Sequence, residues 1–164
     1  MFMDAIDKQA LFNELQVRVD QELNQLLQAQ RAIQEGATHE ESRPENDKDT
    51  RALESTYLAR GLAERVVKLE REVQELRKLR VRDFARDNPV ALSALVRVEY
   101  DDGDALYLVS PAGGGLRLSW DTQVIFVVTL QAPIGMALLG KYCDEEIEIM
   151  TPQGRRIGTL VDIR

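Results

Sequence analysis

Intrachain disulfides and multi-cysteine metal sites are excluded at once, because the 164 residues hold a single cysteine, Cys143. That usage suits a reducing cytoplasm, and Cys143 reads as a small packed hydrophobe. The only histidine, His39, has no second histidine or cysteine to share a metal with, and it is expected as an exposed loop residue. Aromatic residues make up only 5% of the chain while charged residues reach 30%, a balance that favours long, surface-rich helices over one large globule. Positive charge is also short, with 21 Lys and Arg against 28 Asp and Glu, so the net charge of −7 repels free nucleic acid. Direct binding to DNA or RNA is therefore not expected. No run of about 18 apolar residues exists, and Met1 to Lys8 carries acids without an apolar stretch, so a soluble, cytoplasmic protein with no membrane contact is expected. Neither a nucleophile with its base nor a nucleotide-binding motif is present. Gly113 to Gly115 lacks the strand, lysine and helix of a phosphate loop and reads as a flexible hairpin loop.

Proline is absent before Pro44, and within that stretch the apolar residues fall on heptads. Phe12, Val19, Leu26 and Ile33 are each seven apart, Leu15 and Ala29 take the companion position, and Leu11 and Leu23 flank them. The spacing predicts an amphipathic helix. The polar stretch 36–50 contains Gly, Pro and Asn, so the helix is expected to end there with Gly36 as its C-cap and Pro44 restarting the chain. Heptads return from Leu53 to Leu79, with Leu62, Leu69 and Leu76 seven apart and Val66 and Val73 offset by four. Two such helices joined by a short turn pack antiparallel, giving an arm roughly 45 Å long at 1.5 Å per residue.

After Asp87-Asn88-Pro89 the composition turns to β-branched residues and glycine, which places a domain boundary there. Val96 to Tyr100 and Ala105 to Val109 read as a hairpin turned by Asp101 to Asp104. Val124 to Leu130, Glu146 to Met150 and Gly158 to Ile163 read as further strands, with a short helix over Ile134 to Lys141. The expected fold is α+β. Residues 1–82 form an antiparallel coiled-coil arm with its tip near 37–49, and residues 83–164 form an antiparallel sheet of about five strands covered by the short helix.

One segment carries more than fold. Gln131-Ala-Pro-Ile-Gly-Met-Ala-Leu-Leu-Gly-Lys141, followed by Asp144-Glu-Glu-Ile-Glu-Ile-Met-Thr-Pro-Gln-Gly154, resembles the C-terminal segment of the bacterial Gre family of transcription elongation factors (GreA and GreB). The family has a Ser-Pro-Leu/Ile-Gly-like start, an Ala-Leu-Leu-Gly-Lys helix, an acidic turn, a strand and a Thr-Pro-x-Gly turn. The match runs from Val128 to Ile163, and the order of arm before sheet also agrees. Pro133 rigidifies the start, Gly135 and Gly140 are expected to bound the helix, and Pro152 with Gly154 forms a tight turn.

The resemblance implies an FK506-binding-protein-like C-terminal domain that docks on bacterial RNA polymerase through Pro133, Ile134, Gly135, Leu139, Gly140 and Lys141. The arm would then reach down the secondary channel, so nucleic acid is met only through the polymerase. It further implies that tip acids support cleavage of backtracked transcripts by the polymerase, with Glu45, Glu41 and Asp47 as the candidates. Glu45 and Glu41 would face a Mg²⁺ held jointly with the polymerase, since carboxylate oxygens suit a hard cation. The chain would be a monomer with no cofactor of its own and would not be an enzyme. The family tip has Asp, two residues, then Glu-Asn, whereas Ser42 here precedes Arg43-Pro44-Glu45-Asn46, so Glu45 alone carries over residue by residue. Two alternatives stand beside cleavage: a divergent Gre-like protein that enters the channel as a modulator or inhibitor, and an adaptor whose Phe12 to Ile33 seam pairs between chains. The plain reading of Glu40, Glu41, Glu45, Asp47 and Asp49 is a set of solvated acids favouring a helix dipole.

Overall fold

The computed structural model describes residues 3–40 and 48–164. A 3₁₀ turn, Met3–Ala5, leads into α1, Lys8–Glu40, and α2 spans Lys48–Lys78. Asp7 caps the start of α1: its Oδ1 accepts a hydrogen bond from Ala10 N at 3.0 Å. Arg77 and Lys78 occupy the last turn of α2, where cations suit the negative end of the helix dipole. Gly36 does not end α1, which continues four residues further to Glu40. Nothing crowds Gly36 within 4 Å, and the helix formers before it carry the helix through a residue that costs it only about 1 kcal/mol.

Six strands follow: β1 Leu95–Tyr100, β2 Gly103–Val109, β3 Arg117–Trp120, β4 Gln123–Val128, β5 Glu146–Thr151 and β6 Gly154–Ile163, with α3, Pro133–Leu138, between β4 and β5. They form one sheet in the order β3-β4-β2-β1-β6-β5. The arm, the sheet and the single short helix are those read from the sequence, but the sheet has one strand more and is mixed. β2 and β4 run parallel, Leu106 beside Ile125 and Val109 beside Val128, while the other pairs are antiparallel. A parallel pair needs a crossover. Residues 110–116 and β3 supply it, so the triglycine stretch is part of a crossover and not a hairpin loop. Gly113 sits there at φ 74, and an added Cβ would lie 2.5 Å from Leu15 Cδ1 of α1.

Alternation along the strands gives the sheet two buried faces. One packs Leu95, Leu106, Leu108, Leu118, Ile125 and Val127 against Leu11, Phe12, Leu15 and Val19 of α1 and Leu69, Val73 and Leu76 of α2. The other packs Val96, Val98, Tyr100, Tyr107, Val109, Val128, Leu160 and Ile163 against Leu138 of α3, together with Val90, Ala94 and Ile147. The root of the arm is thus one layer of the sheet's core. The rest of the arm extends beyond it.

Candidate functional site

Two places carry the sequence's functional candidates, one at each end of the architecture. The tip acids Glu41, Glu45 and Asp47 lie outside the described residues, as do Ser42, Arg43, Pro44 and Asn46. Their place in the chain is nonetheless bounded. α1 stops at Glu40 and α2 starts at Lys48, so in sequence the acids fall between the two helices, after the end of α1 that lies away from the sheet. With 33 residues in α1, that end stands roughly 50 Å from the start of the helix at 1.5 Å per residue. Among the described residues no three His, Cys, Asp or Glu side chains come together as a metal site.

The second place is the rim built by α3. Pro133 opens this helix at a position where its missing N–H costs nothing. Gly135 lies inside the helix rather than at its boundary, because it crosses the backbone of Thr129 so closely that a Cβ would fall 1.9 Å from that carbonyl oxygen. Leu138 is fully buried beneath, and Leu139 N donates to Gly135 O at 3.0 Å to close the turn. Gly140, at φ 77, then reverses the chain. Its N–H donates to Val90 O at 2.9 Å, and Val90 N donates to Lys141 O at 2.8 Å, which pins the rim to the segment before β1.

Beyond the helix, Tyr142 N donates to Glu145 Oε2 at 2.6 Å, and this bond holds the Glu145 carboxyl below its ordinary range. Lys141 Nζ pairs with Glu145 at 3.5 Å, and Arg86 pairs with Asp144 at 2.8 Å. Both pairs are solvent-facing and add little stability. Cys143 is half-buried and its thiol is pushed up by burial, consistent with a packed rather than reactive side chain.

Of the six rim candidates, Pro133, Leu139 and Gly140 are exposed, Ile134 and Lys141 are half-buried, and Gly135 shapes the rim from beneath. Sequence reasoning missed Met136 and Tyr142, which are 60% and 47% exposed beside Leu139 at 49%. The signal for Met136 was available: Pro133, Met136 and Leu139 recur every three residues, as one helix face requires. The rim is therefore an apolar edge of proline, methionine, leucine and tyrosine bordered by a Lys–Glu pair.

A polar joint ties the arm to the sheet, and nothing in the local sequence announces it. The ammonium of Lys8, almost fully buried, donates to the carbonyl oxygens of Arg82 and, at 3.2 Å, of Ser93. Ser93 Oγ in turn accepts from Arg82 N at 3.0 Å. Lys8 and Arg82 both stand over the Phe84 ring, at 5.1 and 5.0 Å from its centroid. Burial lowers the Lys8 pKa to about 8 against the pull of Asp83.

No protein-family model matches the chain, and no curated protein matches it. Solved structures do. Its structural neighbours are Gfh1 and GreA/GreB transcription factors. Gfh1 of Thermus aquaticus is 15% identical, the match covering 90% of this chain and 92% of that one at a TM-score of 0.39. GreA factor homolog 1 (Gfh1) of Thermus thermophilus is 20% identical, with 93% and 94% covered and a TM-score of 0.38. The prokaryotic transcription elongation factor GreA/GreB of Nitrosomonas europaea is 20% identical, with 58% and 78% covered and a TM-score of 0.36. Among the described residues no helix is long and apolar enough to cross a membrane.

Proposed function

We propose that this chain is a Gre-like factor of bacterial RNA polymerase. Its rim docks beside the secondary channel, and its arm carries the acidic segment 41–47 toward the active centre. The observation that carries the reading is the pairing of that rim with the arm: the Pro133 to Gly154 segment that resembles the Gre family builds an exposed apolar edge on the same sheet that anchors the arm's root. A partner gripping the rim would thereby aim the arm. The two modules, 1–82 and 83–164, would act as pointer and dock.

Glu45 is the acid we assign to the chemistry, with Glu41 and Asp47 beside it. Carboxylate oxygens there would face a Mg²⁺ shared with the polymerase, the metal charge favouring attack of water on the transcript. The factor supplies acids and leaves catalysis to the polymerase, so it is no enzyme by itself. Transcript cleavage by purified polymerase in stalled, backtracked complexes tests this. Cleavage accelerated by the parent and lost with Glu45→Ala, and reduced by the Glu41→Ala/Asp47→Ala pair, supports it.

A second reading is favoured by Ser42 at the place of the family's Asp: a channel-binding modulator without cleavage. It predicts competition with a known secondary-channel factor, no cleavage by the parent, and a gain of cleavage with Ser42→Asp. Against the adaptor reading stands the root of the arm, where Leu11, Phe12, Leu15 and Val19 of α1 and Leu69, Val73 and Leu76 of α2 are buried against one another and the sheet within one chain. A monomer by light scattering is the expected result.

A further inference from the structure

Gly61 lies inside α2 with nothing within 4 Å of where a Cβ would stand, so neither a close approach nor a left-handed backbone calls for glycine there. Such a residue weakens a helix by raising the freedom of the unfolded backbone, and alanine would fit. Its position is pointed. Val66, five residues toward the sheet, is buried, whereas from Thr50 to Gly61 every residue is exposed except the half-buried Ala59. Thr56, within that stretch, turns its Oγ1 back to Ala52 O at 2.8 Å, a kind of bond that slightly destabilises helices and often bends them. The Arg60–Glu64 pair that bridges Gly61 at 3.2 Å is exposed on both sides and holds it weakly.

We propose that Gly61 is a built-in point of compliance, at which the outer part of α2 bends and opens independently of the sheet-anchored root. The bend separates a finger, residues 50–61, from a base, residues 66–76, and it is a property of the free protein. Native-state amide hydrogen exchange on the full chain tests it, comparing the parent with Gly61→Ala and with Gln74→Ala, an exposed change in the base. Amides of the finger are expected to exchange at least about tenfold faster than those of the base, as local opening requires. Gly61→Ala should slow the finger about two- to fivefold, leaving the base unchanged, and Gln74→Ala should not slow the finger. Equal exchange of finger and base in the parent, or a Gly61→Ala effect spread evenly over both, would overturn the proposal.

Discussion

Near the sheet, α1 buries Leu11, Phe12, Leu15 and Val19 and α2 buries Val66, Leu69, Val73 and Leu76. Farther out the same heptads continue, yet Leu26, Ile33 and Leu62 are only half-buried, and Leu53, Tyr57 and Leu58 stand exposed. The pattern is one and the outcomes are two, because a pair of helices offers each seam residue a partner on one side only. In the root the sheet supplies the other side as a third surface, and burial becomes complete. Helical stability in proteins comes mainly from such packing, so the outer arm rests on propensity and a half-covered seam.

The sharpest test of that contrast removes one apolar side chain from each region. Leu15→Ala empties a site with no exposure, between arm and sheet, and is expected to cost about 2–5 kcal/mol. Ile33→Ala, half-buried, should cost under about 1 kcal/mol, since water already reaches it. Denaturant unfolding measures both, and equal losses would erase the distinction. Gly113→Ala probes the same contact from the other side. Its φ of 74 and the 2.5 Å approach to Leu15 predict a loss of about 1–3 kcal/mol. In the double variant with Leu15→Ala the loss should fall short of the sum, because the cavity receives the new methyl.

The arm was legible in the sequence because the heptad from Phe12 to Ile33 is local information. Which of its residues are core was not, since Leu15 and Leu26 look alike until the sheet covers one of them. β3 escaped reading because Arg117-Leu-Ser-Trp120 offers one buried residue, Leu118, to a pattern that needs several. The parallel pairing of β2 with β4 escaped because an apolar run such as Val124 to Leu130 reads the same in either direction. The rim was marked by its proline and glycines. Gly135 proved to matter for contact with Thr129 rather than for ending a helix, a distinction only the packed structure makes. Lys8 had no signal at all, as its acceptors lie 74 and 85 residues away.

Lys8 offers an intermediate effect, at the base of the root. Lys8→Met leaves the carbonyls of Arg82 and Ser93 without this donor, costing about 1–3 kcal/mol, partly offset because a charge no longer has to be buried. The pH dependence isolates it. Folding lowers the Lys8 pKa from 10.5 to about 8, so between those values the unfolded chain holds a proton that the folded chain has released. Stability therefore rises with pH across that window, and below pH 8 the full penalty for the buried charge remains. From pH 8 to 9.5 the parent should gain about 1.5 kcal/mol relative to Lys8→Met. Above pH 10 the sign is opposed by Tyr100, whose hydroxyl is pushed up by burial and by its 3.1 Å bond with Tyr107, so that the unfolded chain ionises first. A parent and variant with parallel profiles from pH 8 to 9.5 would place the Lys8 ammonium in water.

The smallest expected effect compares the base of the root with its outer margin through charge alone. Arg77 reaches from α2 to Asp20 of α1 at 2.9 Å, and Arg65 reaches Glu22 at 3.9 Å. The first pair is hydrogen-bonded and its Asp20 side chain is only 33% exposed, while in the second the two side chains are 67% and 45% exposed. Coulomb attraction in water is weak at either distance, so what separates them is how much side-chain freedom each must give up and how well solvent screens it. Double-mutant cycles to alanine should give about 0.3–1 kcal/mol for Arg77 with Asp20 and nothing measurable for Arg65 with Glu22. Raising salt to 1 M, where the screening length falls to about 3 Å, should shrink the first coupling toward the second. A coupling at Arg65 as large as at Arg77 would mean that the arm is held as firmly at the outer margin of the root as at its base.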